Sequence, residues 1–310
     1  MLTIHPHYYD TFRCIAGACR HSCCIGWEID IDADTAAVYQ AVPGSFGDRL
    51  RREISDDDPP HFCLGEGERC PFLNKDNLCD IILTLGEDKL CTICTEHPRF
   101  HNELPGRIES GLGFCCEEAA RLILSDPQPM LLLADGTDDV SDPIIALRDE
   151  VIALLQDRTR TIPQRINDML ARCGTSMPQY TLGDWVREFL ALERLDALWT
   201  DRLEELEQTQ YASSAAFDAY MAERQTEYEQ LLVYFVYRHM ANAPDEAEAA
   251  ARACFACLAY TMIHALGAIQ YEKTGAFSFD DQTELCRLYS SEIEYSQDNT
   301  DALLDLVYQG

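Results

Sequence analysis

Eleven of the chain's fifteen cysteines lie between Cys14 and Cys116. They run Cys14-x4-Cys19-x3-Cys23-Cys24, then Cys63, Cys70 and Cys79, then Cys91-x2-Cys94, and end in the pair Cys115-Cys116. Thiols this dense in the first third of 310 residues are disulfides, metal ligands or redox groups, and each option dictates a different fold. A disulfide scaffold belongs to a short chain in an oxidising compartment. This chain is long, and its start has neither the basic nor the apolar stretch of a secretory signal. The expectation is a cytoplasmic protein whose thiolates are held by metal. No uninterrupted apolar run approaches the roughly 18–20 residues of a membrane span, so no membrane is expected as a partner. The net charge of -30, from 24 basic and 54 acidic residues, leaves no basic footprint for nucleic acid.

Composition divides the chain near Ser125-Asp126-Pro127-Gln128-Pro129, a run of breakers after the last clustered cysteines. Residues 1–125 are punctuated by glycine and proline and read as a Cys-rich iron–sulfur or metal-binding region; residues 126–310 read as an α-helical domain. The expected fold is therefore mainly α, a small Cys-rich metal-binding N-terminal region packed on an α-helical C-terminal body. Within the first part, 27–32 alternates as a short strand, 35–40 forms a helical turn or two, and 55–60 is a solvated loop. Within the second, Asp142-Pro143 opens a helix over 144–158, and Thr161 opens another that ends near Cys173-Gly174. Thr181-x-x-Asp184 forms a capping box ahead of a long amphipathic run through 207. Further helices are expected over 214–240, 245–271, 280–293 and 301–308.

Adjacent Cys23 and Cys24 project in different directions from any regular backbone, and the thiols outnumber what one zinc needs. Both facts favour an iron–sulfur cluster, with zinc as a possible second metal. The three-cysteine spacing of radical S-adenosylmethionine enzymes is absent, because Cys19-x3-Cys23 is followed by Gly26 rather than cysteine. No Gly-x-Gly-x-x-Gly turn marks an ordinary donor-binding site. Cys254, Cys257, Thr261 and His264 share one helical face, which is a metal corner or, as we read it, a face of small buried residues. Cys173 and Cys286 read as isolated packing cysteines.

Several of these segments carry a resemblance. Phe12-x-Cys14, Cys19, Cys23-Cys24-x-Gly26-Trp27-x-Ile29-x-Ile31-Asp32, Cys70-Pro71-Phe72-Leu73, Leu78-Cys79-x-Ile81, Leu85-Gly86-Glu87, Cys94-x-x-His97-Pro98-Arg99 and Cys116-x-Glu118-Ala119-Ala120-Arg121-Leu122 together resemble the flagellin lysine-N-methylase family. The amino-terminal part is also similar to the zinc/iron-chelating cysteine-cluster proteins. The double cysteine before Gly-Trp is the most specific of these segments. The resemblance implies an enzyme that methylates flagellin lysines on the ε-nitrogen with S-adenosylmethionine as donor. It also implies an iron–sulfur cluster, of the 4Fe-4S type, on Cys14, Cys19, Cys23, Cys24, Cys70, Cys79, Cys94 and Cys116. Cys63 and Cys91 fall outside the shared pattern, and His97 stands where the family usually has tyrosine.

Such methyl transfer needs a neutral amine, although free lysine titrates near pKa 10.4. Tyrosine or glutamate would take the proton, and Tyr228, Glu229 and Tyr234 on one helix are the candidates, set against simple burial of a helix apolar nearly all round. Arg99 is the candidate for pairing with a carboxylate of donor or substrate. The alternative to a methyltransferase is a non-catalytic module that binds Fe–S or Zn and senses redox state.

Overall fold

The computed structural model describes residues 1–137, 142–209 and 215–308. The chain forms two compact units, Arg13–Phe100 and a larger one made of Met1–Phe12 with His101–Gly310.

In Arg13–Phe100, short helices are pinned by side chains. Asp32 caps α1 (Ala33–Ala41) by accepting from Thr35 N–H at 2.9 Å. Helix α2 (Gly44–Arg52) follows at once, and a Cβ on Gly47 would sit 1.8 Å from the Val42 carbonyl oxygen, so only glycine fits there. Arg49 ties α2 to α3 (Asp80–Leu85) through Asp80 at 2.8 Å. The other oxygen of Asp32 accepts from the backbone and hydroxyl of Thr92, the first residue of α4 (Thr92–Glu96), at 2.9 and 3.0 Å. One aspartate thus sets the start of α1 and α4 together, and its carboxyl is held down to about 2, chiefly by the Thr92 N–H. The core is Ile29, Ile31, Tyr39, Leu50, Phe62, Phe72 and Ile81.

The strand expected over 27–32 is reduced to isolated bridges, Ile25 with Arg69 and Asp30 with His61. Its alternation still buries Ile29 and Ile31, but Pro59 and Pro60 opposite cannot donate to a longer ladder. Residues 56–59 are exposed, as expected of the acidic loop.

The larger unit contains a sheet that the sequence reading did not anticipate. Strands β1 (Leu2–Pro6), β2 (Arg99–Leu104), β3 (Arg107–Leu112) and β4 (Leu132–Asp135) are ordered β2-β3-β1-β4. Strand β1 runs parallel to β3, with Ile4 opposite Glu109, and antiparallel to β4, with Ile4 opposite Ala134. Helix α5 (Glu117–Leu124) lies between β3 and β4 in sequence. The breaker run at 125–129 sits inside this unit, where Gln230 donates to the carbonyls of Asp126 and Gln128.

Ten-residue and longer helices then dominate. Asp142 caps α6 (Pro143–Leu155), and capping boxes open α7 (Ile162–Arg172) at Thr161 and α8 (Leu182–Ala191) at Thr181. The amphipathic run expected through 207 breaks after α8 and resumes as α9 (Ala197–Gln208). The break survives because Glu292 accepts from Leu195 and Asp196 N–H at 3.0 and 2.8 Å, satisfying donors a helix would otherwise use. The expected 214–240 helix begins at Ser214, outside the described residues. It is seen as α10 (Ala215–Met221), a 3₁₀ turn Ala222–Arg224 and α11 (Gln225–Met240). Arg224 is drawn aside at the turn to the carbonyls of Phe277 and Ser278 and to Glu227.

Helix α12 (Glu246–Thr274) passes the length and apolarity test for a membrane span, yet 78% of that window is buried inside the protein, as for a core helix. Gly267 lets the rings of Phe217 and Phe277 approach its backbone. Helix α13 (Phe279–Tyr289) runs into a π-helical turn, Ser290–Glu294, before α14 (Gln297–Tyr308). The described residues are mainly helical, as expected, with a small sheet added.

Candidate metal centre and a buried polar network

No disulfide joins any of the fifteen cysteines. In Arg13–Phe100, five of them join a single core. Cys70 and Cys91 are buried within it, and Cys24, Cys79 and Cys94 pack against it. The elements explain the convergence. Cys70 N–H donates to the Cys24 carbonyl at 2.8 Å, Cys79 precedes α3, and Cys91 and Cys94 flank the first turn of α4 that Asp32 anchors. Cys23 reaches the group through a hydrogen bond with Cys24.

These thiols shift one another's ionisation. The Cys23 hydrogen bond eases Cys24 to about 7, with Arg69 also favouring the thiolate. Burial pushes Cys70 up to about 12, and Cys24 and Cys79 push it further. Cys79 is raised by burial, again with Cys24 adding to it. The hydrogen bond between Cys91 and Cys94 eases Cys91 and, with burial, drives Cys94 up. Thiolates that oppose one another in this way need a cation among them before they can ionise together.

His97, at the C-terminal end of α4, adds an independent sign. Its Nε2 is buried and has no hydrogen-bond partner, and burial holds the imidazole down to about 4. Leaving such a polar atom unsatisfied costs on the order of 1–3 kcal/mol. The donor set and this orphaned nitrogen both suit a thiolate-bound metal or iron–sulfur centre.

The remaining candidates fall as follows. Cys14 Sγ accepts from Ala16 N–H at 3.4 Å, and the Cys19 thiol donates to the His21 carbonyl at 3.2 Å, both in the segment before the group. Cys116 stands at the N-cap position of α5 in the larger unit, with no capping hydrogen bond from its side chain. Cys91, outside the shared pattern, is in the middle of the group; its x2 spacing from Cys94 was the signal. Cys63 is exposed. Arg99 donates to the Thr95 carbonyl at 3.2 Å. Glu28, Asp30 and His61 bring ligand atoms within 4.8 Å of one another, a grouping that sequence spacing hid; His61 is 3.3 Å from Glu28 and 3.1 Å from Ser55 Oγ.

In the larger unit, the three helical candidates have separate fates. Glu229 is wholly engaged by arginines, with Arg165 at 2.7 Å and Arg158 at 2.8 Å. Tyr228 is buried with its hydroxyl unpartnered, its ring edge-on to Tyr260. Tyr234 lies at the centre of a polar network. Its hydroxyl donates to Glu294 at 3.0 Å and accepts from Arg238 at 2.7 Å and from Phe114 N–H at 3.1 Å. His239 meets the same carboxylate at 2.7 Å. Glu294 belongs to the π-helical turn, which sequence periodicity could not reveal. Cys254 and Cys257 are core residues, as read, and burial raises the Cys173 thiol.

Two expectations follow. Tyr234→Phe strands the Phe114 N–H and removes a donor from Glu294, and is expected to lower stability by about 1–3 kcal/mol in urea unfolding. Burial lowers the folded pKa of His239 and of His264 below the ordinary value. The unfolded chain therefore binds these protons first, so their contribution is present above about pH 6.5 and is lost as pH drops from there toward the folded values. The urea midpoint of the larger unit should decline as pH falls below about 6.5; a midpoint that rises there would contradict this.

A family model described as the FliB lysine N-methylase C-terminal domain matches residues 181–310. The lysine-N-methylase of Salmonella typhimurium (strain LT2) is 33% identical over 141 residues, 41% of this chain and 33% of that protein. The lysine-N-methylase of Salmonella choleraesuis gives the same identity and coverage. The flagellar biosynthetic protein FliU of Salmonella muenchen is 31% identical over 141 residues, 41% of this chain and 79% of FliU. The match thus spans about a third of the length of the two lysine-N-methylases. No solved structure matches the chain.

Proposed function

This chain belongs to the FliB lysine N-methylase family, and from that premise we propose that it is a protein lysine N-methyltransferase acting on flagellin. The observation that carries the reading is the match of residues 181–310 to the lysine N-methylase domain, joined to the likeness with proteins named lysine-N-methylase. S-adenosylmethionine is the proposed donor. An iron–sulfur cluster is the proposed resident group, held by thiolates among Cys23, Cys24, Cys70, Cys79, Cys91 and Cys94. When bound, the cluster supplies the positive charge that these crowded thiolates lack.

In the transfer, the lone pair of a neutral lysine ε-nitrogen forms the new N–C bond. The methyl–sulfur bond of the donor breaks, its electron pair stays on sulfur, and the amine proton leaves to a base. The protein's own contributions are electrostatic and positional. Its net charge of -30 draws a lysine-bearing surface toward it. Arg238 and Glu294 hold Tyr234, and Tyr234 in turn holds the Phe114 backbone next to Cys115 and Cys116. We read Tyr234 as a positioning residue for that segment, because its hydroxyl is enclosed by protein.

The test is anaerobic incubation with flagellin and S-adenosylmethionine labelled in its methyl group. Label recovered as ε-N-methyl-lysine in flagellin is expected. Absence of label from protein with its metal content intact would overturn the assignment.

A further inference from the structure

The geometry points to His97 as a nitrogen ligand, through Nε2, of the metal centre held by the cysteine group. The inference rests on the reading of that group as an iron–sulfur site and adds a donor that cysteine spacing does not disclose.

Three observations within Arg13–Phe100 carry it. First, His97 follows Cys94 by three residues at the end of α4, so both side chains leave the same face of that turn. Second, the Trp27 indole links the two sides of the group. Its Nε1 donates to the Cys23 carbonyl at 2.6 Å, and its ring lies 6.1 Å from the His97 imidazole. Trp27 thus touches His97 on one side and the backbone of Cys23, one of the group's cysteines, on the other. Third, Nε2 is the orphan: buried, and with no hydrogen-bond partner. Buried polar atoms in folded proteins find partners with few exceptions, and a neutral imidazole nitrogen is a common metal ligand. Mixed histidine–cysteine ligation also changes what a cluster does, because replacing thiolate by imidazole raises the reduction potential.

The experiment uses the full chain, purified and reconstituted anaerobically with iron and sulfide, with histidine labelled by nitrogen-15. Iron and sulfide per chain are measured, and the reduced protein is studied by pulsed electron paramagnetic resonance. The expected result is a strongly coupled histidine nitrogen in the parent protein. His97→Cys should keep the iron and sulfide but lose that coupling, with its potential shifted to lower values. A cluster with full iron and sulfide and no coupled nitrogen in the parent protein overturns the role of His97 alone. Protein that takes up no iron or sulfide overturns the cluster reading and this inference with it. Because the parent spectrum decides the question, a variant that fails to fold leaves the answer intact.

Discussion

Glu229→Ala is expected to destabilise the larger unit by about 3–5 kcal/mol, among the largest effects of any single substitution. Its carboxylate is 1% exposed and is the common partner of Arg165, 5% exposed, and Arg158. Removing it leaves a buried guanidinium without its counter-charge, and that uncompensated charge rather than the lost pair sets the size of the effect. Replacing Glu229 and Arg165 together by methionine should recover much of the loss, since an apolar pair of similar volume needs no compensation. Urea unfolding of the single and double variants separates the contributions. A loss below about 1 kcal/mol for Glu229→Ala would show that the arginines find other partners.

The second large effect belongs to the cysteine group. Cys24→Ser is expected to strip the metal and to lower the thermal midpoint of Arg13–Phe100 markedly. A structural thiolate site contributes on the order of 10 kcal/mol of linked binding energy. A unit of this size shifts by roughly 4–8 °C for each kcal/mol, so a fall beyond about 10 °C is expected even after partial compensation by its apolar core. Cys63→Ser, at an exposed thiol outside the group, should change neither metal content nor midpoint. Equal behaviour of the two variants in metal analysis and calorimetry would remove the special status of Cys24.

Local signals were legible and long-range ones were not. Asp142-Pro143, Thr161 and Thr181-x-x-Asp184 announced helices that begin where their caps stand, because an N-cap acts over three or four residues. The small sheet was missed because its strands are short and β1 pairs with residues more than a hundred positions away. The break between α8 and α9 depends on Glu292, and the bend before α11 depends on carbonyls at Phe277 and Ser278. No window around either site contains its cause.

The candidate centre divides along the same line. Cysteine spacing pointed to a thiol site and paired Cys91 with Cys94, but the family resemblance left Cys91 outside its pattern, although Cys91 is buried beside Cys94. It also could not see that His97 has a buried nitrogen without a partner, since that is a property of packing. Likewise Glu229 looked like a proton acceptor while its arginine partners, more than sixty residues upstream, were unseen.

Elemental analysis of the anaerobically purified protein asks directly whether the thiols of Arg13–Phe100 hold an iron–sulfur centre. Iron and acid-labile sulfide in equal amounts on every folded chain, both lost together in Cys24→Ser, is the predicted result. Folded, metal-free protein in which every cysteine reacts with a thiol reagent, or protein holding zinc without sulfide, would contradict it.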